Sequence, residues 1–265
     1  MPRFDPHPER RPAAVTGASS GIGAATVAAL AAAGHPVVLA ARRVERLEEL
    51  AAKLRSDGAE AVALPLDLAD PASSDRFAEQ AAAAFGPLDV LVSNAGEVVP
   101  MSGVGGDPDQ FATSVHVNLL GAQRLAAGIG PAMVEQGHGD IVFVSSDMVV
   151  RPRPFSAPYV AAKTGLEGLA RGMQMELEGT GVRVGIVRPG PSSTEQGTTW
   201  DEATVLSILE SWTAWGHMRH DGALRPAQVA QAILTMISVP KGTHLTLVEV
   251  QPEAPVLTDR KVDLR

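Results

Sequence analysis

Cysteine is absent from the 265 residues of this chain, and so is any long apolar run. Without cysteine there is no disulfide, no thiolate nucleophile and no cysteine-ligated metal centre. No segment approaches the length of a membrane-spanning helix, and the charged, proline-rich start MPRFDPHPERR lacks the apolar part of a secretory signal. The sequence therefore predicts a cytoplasmic protein with no membrane partner.

Positive charge is also scarce. The chain carries 22 Lys and Arg against 30 Asp and Glu, a formal net charge of −8. Nucleic-acid grooves need clustered positive charge, so we expect no nucleic-acid partner. The nearest approach to a metal-binding cluster is His217, His220 and Asp221, for which neither a third ordered ligand nor a second shell is evident, and we predict no metal.

Seven short apolar runs alternate with longer segments of helical period. The runs are PAAVT, PVVLAA, AVALPL, LDVLVS, DIVFVSS, VRVGIV and HLTLVEV. Nearly continuous apolar runs are typical of strands that are covered on both faces. Strand–helix alternation along the whole chain predicts an α/β fold: one Rossmann-like, doubly wound domain with a parallel sheet of about seven strands and helices on both faces.

Two predicted helices have clear ends. One runs from about Ile22 to Ala33 and stops at Gly34. Another begins with Asp70 as N-cap and Pro71 at the first helical position. Since ligands of such folds bind beyond the carboxyl ends of the strands, functional residues are expected directly after each apolar run.

The first apolar run leads into TGASSGIG, Thr16 to Gly23, which opens directly into a helix. Its glycines allow a tight turn and the approach of a pyrophosphate to free N–H groups at the helix start. A rival interpretation is the Gly-x-Ser-x-Gly elbow of a serine hydrolase, with Ser19 as nucleophile. That elbow needs an oxyanion loop from an earlier strand, and only one strand fits before Gly17, so the phosphate cradle is favoured.

The second run ends in LAARR and bears on the choice of dinucleotide. Ala41 stands where an NAD site places an acid for the ribose 2′-hydroxyl, whereas the guanidinium groups of Arg42 and Arg43 suit a 2′-phosphate. The alternative is that both arginines only solubilise the start of a helix. We predict that NADP(H) is favoured over NAD(H).

The chain has a single tyrosine, Tyr159, and Lys163 follows one helical turn later in YVAAK. A phenol with a pKa of about 10 is a poor base at neutral pH. A positive charge roughly 5 Å away contributes on the order of 3 kcal/mol, or about two pKa units, towards ionisation. The spacing therefore predicts a general acid–base tyrosine with Ser145 or Ser146 at the same mouth, although a core or interface tyrosine stays open.

Five motifs, in this order and spacing, carry a family resemblance: TGASSGIG, SNAG, SS, YVAAK and RPG. From about Pro12 to Val250 the chain resembles the short-chain dehydrogenases/reductases of the single-domain type. The resemblance implies an NAD(P)-dependent oxidoreductase that transfers hydride between nicotinamide and the carbonyl or alcohol carbon of a small molecule. A protein that binds NADP(H) as a sensor is the alternative, but it would not need the Ser146, Tyr159 and Lys163 set.

The same resemblance implies roles for individual residues. Tyr159 would be the general acid/base, and Lys163 would lower its pKa and bind the nicotinamide ribose. Ser146, rather than Ser145, would position the substrate, and Asn118 would distort its helix and fix a water in the proton relay. Asp67 would accept from the adenine amino group or simply cap a turn. The implied cofactor-binding residues are Gly17, Ser19, Ser20, Gly21, Ile22, Gly23, Arg42, Arg43, Asp67, Leu68, Asn94, Ala95, Gly96, Tyr159, Lys163, Pro189, Gly190 and Thr194.

Two departures concern the cofactor and substrate sides. NADP-preferring relatives often have a basic residue where this chain has Ser20, and Asp147 brings a charge directly after Ser146. Arg151 and Arg153 could meet an acidic substituent of the substrate or be solvated loop charges.

The remaining expectations concern the chain outside the motifs. The resemblance makes residues 191–225 a mobile lid, with residues 1–11 as a flexible tail and 251–265 as a C-terminal extension. The lid holds all three tryptophans and an apolar stripe, which predicts a fairly large apolar alcohol or ketone, unless the stripe packs on its own domain or on a neighbouring subunit. The stripe is Leu206, Leu209, Trp212 and Trp215. The resemblance also implies a homotetramer or homodimer built through the helices around Asn118 and Tyr159.

Overall fold

The computed structural model describes residues 5–198, 200–217, 220 and 222–255. Its centre is a seven-stranded sheet in the order β3-β2-β1-β4-β5-β6-β7, with every pair of neighbours parallel. Each of the seven apolar runs coincides with one strand to within a few residues, so the predicted doubly wound fold is confirmed. The strands are β1 (Ala13–Thr16), β2 (Val37–Ala41), β3 (Ala61–Pro65), β4 (Val90–Ser93), β5 (Gly139–Val144), β6 (Val182–Pro189) and β7 (Leu247–Val250).

The helices cover both faces of this sheet. Asp70 caps α3 as predicted, since its carboxylate accepts a hydrogen bond from the backbone N–H of Ala72. The first helix starts one residue earlier than expected and ends one residue sooner. Among the described residues, every helix is too short or too polar to cross a lipid bilayer. The helices are α1 (Gly21–Ala32), α2 (Val44–Ser56), α3 (Pro71–Phe85), α4 (Pro108–Val115), α5 (Gly121–Gln136), α6 (Ala157–Glu176), α7 (Glu202–Ala214) and α8 (Pro226–Ser238), with a π-helical turn (His116–Leu120) between α4 and α5.

Successive residues of the central strands are buried on opposite faces of the sheet. In β2, Val37 and Leu39 belong to the apolar cluster formed with α1, α2 and α8. Val38 and Ala40 belong to the cluster formed with α3, α5 and α6. All four are fully buried, and a strand covered on both faces has no position for a solvated side chain, which explains the continuous apolar runs.

The order of the strands reverses beside β1. The chain first extends the sheet to one side through β2 and β3, then returns through α3 to place β4 on the other side of β1. Helices that follow β1 and β4 therefore diverge, and a crevice opens at the carboxyl ends of these strands.

A buried ion-pair network lies at the amino ends of the central strands, opposite the crevice. The Nε of Arg11 donates to Asp89 at 2.5 Å, and the same guanidinium pairs with Asp140, which also accepts from Arg183 at 2.7 Å. Arg11 is 5% exposed, and the ring of His7 lies 2.9 Å from the carbonyl oxygen of Val239. These residues of the predicted flexible tail thus pack against the domain, because Arg11 is held by two buried carboxylates.

We expect Arg11→Met to lower the free energy of unfolding by about 3 kcal/mol, because it removes a guanidinium partner from the buried carboxylates of Asp89 and Asp140. Arg10→Met is the matched control, since the salt bridge of Arg10 to Glu60 is half exposed. It should cost less than about 1 kcal/mol. Chemical denaturation followed by circular dichroism measures the free energy of unfolding of both variants. Equal losses would show that the network does not stabilise the amino ends of the strands.

Candidate active site

A large cavity opens at the carboxyl ends of the strands, with a volume of about 1680 Å³. This exceeds the roughly 300–1,000 Å³ of a typical ligand pocket, so the cavity has room for two small molecules side by side. Most of the residues predicted from the sequence line it, whereas Gly23 and Asn118 do not. The lining includes Gly17, Ser19, Ser20, Gly21, Ile22, Arg42, Arg43, Asp67, Leu68, Asn94, Ala95, Gly96, Ser146, Tyr159, Lys163, Pro189, Gly190 and Thr194.

The glycine turn after β1 has no room for side chains. Gly17 has a φ of 68°, and a Cβ added to Gly23 would lie 2.2 Å from the carbonyl oxygen of Gly17. Ser20, the N-cap of α1, makes no side-chain capping hydrogen bond, and the first turn of α1 contains no acidic residue. The helix therefore presents its first N–H groups to the cavity, where an anion can bind.

The turn after β4 is fastened to the glycine turn. The hydroxyl of Thr16 accepts hydrogen bonds from the backbone N–H groups of Asn94 at 3.0 Å and Ala95 at 2.9 Å. The side-chain amide of Asn94 donates to the carbonyl oxygen of Thr16 at 2.9 Å. A Cβ on Gly17 would lie 2.9 Å from that amide nitrogen. The SNAG turn and the glycine turn thus form one rigid wall.

Three arginines surround the start of α2 at one end of the cavity. Arg42 lines the cavity and forms no salt bridge within the described part of the chain. Arg43 donates to the hydroxyls of Ser19 at 2.9 Å and Ser20 at 2.8 Å. Arg46 also lines the cavity and was missed from the sequence, although its place one helical turn after Arg42 was a usable signal.

The contacts of Ser19 bear on the hydrolase alternative. Its hydroxyl accepts from the guanidinium of Arg43, which remains protonated and cannot act as a base. A serine nucleophile needs a neighbouring base to remove its proton. The described surroundings of Ser19 therefore suit anion binding rather than nucleophilic attack.

Other predicted cofactor residues occupy turns around the same cavity. The carboxylate of Asp67 accepts from the N–H of Ala69 at 3.0 Å, so it caps its own turn with one oxygen. The N–H of Gly190 donates to the carbonyl oxygen of Val250 at 2.8 Å, which ties the loop after β6 to β7. Thr194, further along that loop, lies over Gly21: its methyl carbon would be 3.3 Å from a Cβ there.

The two serines after β5 point in different directions. Ser146 and Tyr159, which stands in the first turn of α6, line the same cavity, and the Ser146 hydroxyl lowers the pKa of the phenol. Ser145 instead donates to the carboxylate of Glu167 at 2.8 Å. Of the two serines left open by the strand pattern, Ser146 faces Tyr159.

Lys163 lies one turn after Tyr159 and is 3% exposed. Its Nζ donates to the carbonyl oxygen of Val144 at 2.8 Å and lies 5.8 Å from the centre of the Tyr159 ring. A Cβ on Gly96 would lie 3.4 Å from this Nζ and 2.6 Å from Oδ1 of Asn118. Only a residue without a side chain fits between Lys163 and Asn118.

Asn118 lies within the π-helical turn, so the helix is distorted at this residue. Its side-chain amide donates to the carbonyl oxygens of Glu97 and Ser114, both at 2.9 Å, and its Oδ1 accepts from the N–H of Glu97 at 3.1 Å. The wider turn thus turns the Asn118 side chain towards the loop after β4. Asn118 is 1% exposed and stands directly behind the cavity wall.

The pKa values of Tyr159 and Lys163 depend on burial, which the sequence-based expectation did not include. Burial raises the pKa of Tyr159 to about 12, partly opposed by the hydrogen bond from Ser146. Burial also lowers the pKa of Lys163 to about 8. Burial is the largest contribution at Tyr159, so the net direction of its pKa is upward, and the lowering by Lys163 stays a prediction.

The substrate side is shaped by a buried ion pair. Asp147 and Arg153 lie 2.6 Å apart, with side chains 4% and 9% exposed. The guanidinium of Arg153 also lies 5.1 Å from the ring centre of Trp212 on α7. Arg151 is exposed, and its guanidinium lies 4.0 Å from the carboxylate of Glu249. Arg153 is therefore neither a solvated loop charge nor a free cation.

The predicted lid stripe on α7 divides between the cavity and the surface. Leu209 and Trp212 line the cavity, as does Trp200 before the helix. Leu206 and Trp215 are 53% and 74% exposed. The stripe therefore does not pack as a whole on its own domain.

A second buried carboxylate was missed by sequence reasoning. Glu167, one turn after Lys163, is 1% exposed and accepts from Nε and Nη2 of Arg188 at 2.9 and 2.7 Å. Arg188 stands directly before Pro189, and Ser145 directly before Ser146. Glu167 therefore links α6 to the ends of β5 and β6. Its spacing of four residues from Lys163 was the available signal.

The described residues contain no cluster of three His, Cys, Asp or Glu side chains that could hold a metal ion. His217 and His220 line the large cavity. Asp221, the third member of the cluster considered from the sequence, lies outside the described residues.

Comparison with protein families gives a match to the short chain dehydrogenase model over residues 11–204. A glycine betaine reductase of Emericella nidulans is 32% identical over 91% of this chain, which spans only 18% of that longer protein. An uncharacterized oxidoreductase of Staphylococcus aureus is 29% identical over 91% of this chain and 96% of its own length.

Solved structures resemble the whole fold. An alcohol dehydrogenase of Thermococcus sibiricus, complexed with 5-hydroxy-NADP, has a TM-score of 0.80 and 28% identity, and the match covers 94% of this chain and all of that one. A metagenomic short-chain oxidoreductase in complex with NADP has a TM-score of 0.77 and 30% identity, over 92% and 98% of the two chains. The chain described here belongs to the short-chain dehydrogenase/reductase family and is an oxidoreductase of that family.

Proposed function

We propose that this enzyme uses NADP(H) to reduce or oxidise a carbonyl or alcohol carbon of an apolar small molecule, with Tyr159 as general acid/base. The observation that carries the proposal is the placement of Tyr159, Lys163 and Ser146 in the same cavity as the glycine turn and the arginines. The solved relatives with NADP and 5-hydroxy-NADP support a nicotinamide cofactor.

The residues present fit a dinucleotide with a 2′-phosphate. Positions 17 and 23 require glycine, since a side chain there would collide with neighbouring atoms. Without side chains at these positions, the backbone of the turn is accessible to a phosphate. The N-terminus of α1 is open to a pyrophosphate, and Arg42, Arg43 and Arg46 supply cations at the end of β2. When bound, the nicotinamide supplies or accepts the hydride.

The proposed holders of the dinucleotide follow the cavity from end to end. Ser19, Ser20 and Ile22 belong to the glycine turn, and Asp67 and Leu68 would border the adenine. Asn94, Ala95 and Gly96 would line the ribose side, and the loop after β6 would border the nicotinamide. That loop contributes Pro189, Gly190 and Thr194.

Tyr159 is protonated at neutral pH, because burial raises its pKa to about 12. In the reduction direction the substrate oxygen gains negative charge and becomes more basic than a phenolate, so Tyr159 donates its proton to that oxygen. The Ser146 hydroxyl, which lowers the pKa of the phenol, would hold the same oxygen.

Lys163 and Asn118 form the proposed path by which that proton is replaced. The Nζ of Lys163 is held by the carbonyl oxygen of Val144 and lies on the cavity side of Gly96. Asn118 also lies beside Gly96, held by the backbone of Glu97. A water fixed by Asn118, as the family resemblance implies, would connect Lys163 to the interior of the protein.

The substrate pocket favours an apolar alcohol or ketone. Trp200, Leu209 and Trp212 form one side of the cavity. Arg153, which could have met an acidic substituent, is neutralised by Asp147 at 2.6 Å. A charged substrate would have to break this buried ion pair.

We also propose a dimer or tetramer through the helices around Asn118 and Tyr159, as the resemblance implies. Along these helices and the π-helical turn, the exposed apolar side chains are Leu120, Val134 and Met175. Their burial by another copy would remove apolar area from water. The cytoplasmic location stays a prediction.

Tyr159→Phe tests the catalytic role. We expect turnover of ketones with NADPH to fall at least about a hundredfold, because the proton donor is lost. The dissociation constant for NADPH should stay within about twofold of the wild-type value, since the ring remains. Absorbance of the nicotinamide measures turnover, fluorescence titration measures binding, and unchanged turnover would refute the assignment.

Arg42→Ala tests the 2′-phosphate site. Arg42 makes no competing salt bridge among the described residues, so we expect its removal to weaken NADPH binding about tenfold and NADH binding by less than twofold. Calorimetric titration of both coenzymes measures the two constants. Equal weakening of both would reject the phosphate role.

Burial of Lys163 predicts a pH dependence of stability. Lysine titrates near 10.5 in the unfolded chain and near 8 when folded, so between these values the unfolded chain binds more protons and stability rises with pH. We expect a rise of about 2 kcal/mol from Lys163 between pH 7 and 9.5, below the range where Tyr159 titrates.

Lys163→Met should lack this rise, and the control Lys53→Met, at an exposed position of α2, should keep it. Urea denaturation of the ligand-free proteins at several pH values measures the difference. Parallel pH curves for wild type and Lys163→Met would contradict the lowered pKa.

A further inference from the structure

Glu195 is a carboxylate to which neither the family resemblance nor the proposed mechanism gives a role. It lies in the loop after β6, directly after Thr194. Its Oε2 accepts from Nη1 of Arg43 at 2.8 Å, and its Oε1 accepts from Nη1 of Arg46 at 2.8 Å. The carboxylate therefore bridges two of the three arginines at the proposed phosphate end of the cavity.

This contact crosses the cavity. The arginines belong to the end of β2 and the start of α2, whereas Glu195 comes from the loop that leads towards α7. Both sides line the same cavity, and the neighbouring Thr194 lies over Gly21 of the glycine turn. Glu195 thus closes the loop onto the wall where the 2′-phosphate is proposed to bind.

All three nitrogens of the Arg43 guanidinium donate hydrogen bonds in this arrangement. Its Nε and Nη2 donate to Ser19 and Ser20, and its Nη1 donates to Glu195. A planar guanidinium binds carboxylate and phosphate through the same N–H groups. A phosphate that pairs with Arg43 and Arg46 through their Nη1 groups therefore competes with Glu195.

The contact is of a kind that a phosphate can displace. Arg43, Arg46 and Glu195 are each between 45% and 49% exposed, and exposed ion pairs contribute little net stability. The two guanidinium groups keep the pKa of Glu195 below its usual range, so it is ionised at neutral pH. A phosphate dianion offers more charge and more acceptor oxygens than this carboxylate.

We infer that Glu195 is a specificity-determining residue that competes internally with the coenzyme's 2′-phosphate for Arg43 and Arg46. Its carboxylate holds the guanidinium pair in the ligand-free enzyme, a 2′-phosphate displaces it, and a coenzyme without that phosphate leaves it in place. Glu195 thereby lowers the preference for NADP(H) that the arginines alone would give. The inference rests on the proposed 2′-phosphate site.

Glu195→Gln tests the competition. We expect the variant to bind adenosine 2′,5′-bisphosphate and NADPH about fivefold more tightly, because the competing charge is gone. Binding of AMP and NADH should change by less than twofold. Calorimetric titration of the full chain at one fixed ionic strength gives all four constants without any turnover, and thermal melting checks folding.

Glu202→Gln is the matched control, since it removes the same charge from an exposed position at the start of α7. It should leave all four constants within twofold. Weaker binding of all four ligands to Glu195→Gln would mean that Glu195 clamps the loop over the coenzyme, and unchanged constants would leave only a surface ion pair. Either result overturns the inference.

Arg42→Ala separates this test from the proposed function. If Arg42→Ala weakens NADPH selectively while Glu195→Gln changes nothing, the phosphate site stands and the competition fails. If Arg42→Ala weakens both coenzymes equally and Glu195→Gln has no selective effect, the phosphate site fails as well.

Discussion

Loss of hydration is the physical effect that sets the properties of the proposed catalytic groups. Tyr159 and Lys163 are 7% and 3% exposed, enclosed between α6, the end of β5 and the turn after β4. Burial disfavours both charged forms, so it raises the pKa of the phenol and lowers that of the ammonium. The site therefore holds a protonated phenol beside a lysine whose pKa is lowered to about 8, and bound ligands act on these two pKa values.

Such a buried pair needs a rigid frame, and the frame consists of polar contacts behind the cavity wall. Glu167 takes hydrogen bonds from Ser145 and Arg188, so it fixes the strand ends that carry Ser146 and Pro189. Asn118 fixes the turn after β4 from the opposite side. Because each of these groups is fully buried and hydrogen-bonded, a shift of one strand end would leave an unpaired polar group, which is costly.

The sequence predicts the fold more completely than the electrostatics of the site. Strands covered on both faces leave continuous apolar runs, and caps such as Asp70 mark helix ends, so local patterns were sufficient there. Most of the site residues predicted from local patterns and from the family resemblance line the cavity. Local patterns could not predict Glu195 against Arg43 or Asp147 against Arg153, because the first pair joins positions far apart in the chain and the second depends on burial. The upward pKa of Tyr159 escaped sequence reasoning for the same reason, because burial cannot be read from spacing.

The Asp147–Arg153 pair connects the proposed substrate lid to the phenol. Asp147 raises the pKa of Tyr159 and Arg153 lowers it, so the position of the pair sets part of the field at the phenol. Arg153 in turn is covered by the ring of Trp212, whose indole N–H donates to the carbonyl oxygen of Pro154 at 3.4 Å. A displacement of α7 would therefore move Arg153 and, with it, the Arg153–Asp147 pair. The pKa of Tyr159 is in this way coupled to the ligand that occupies the space beneath Trp212.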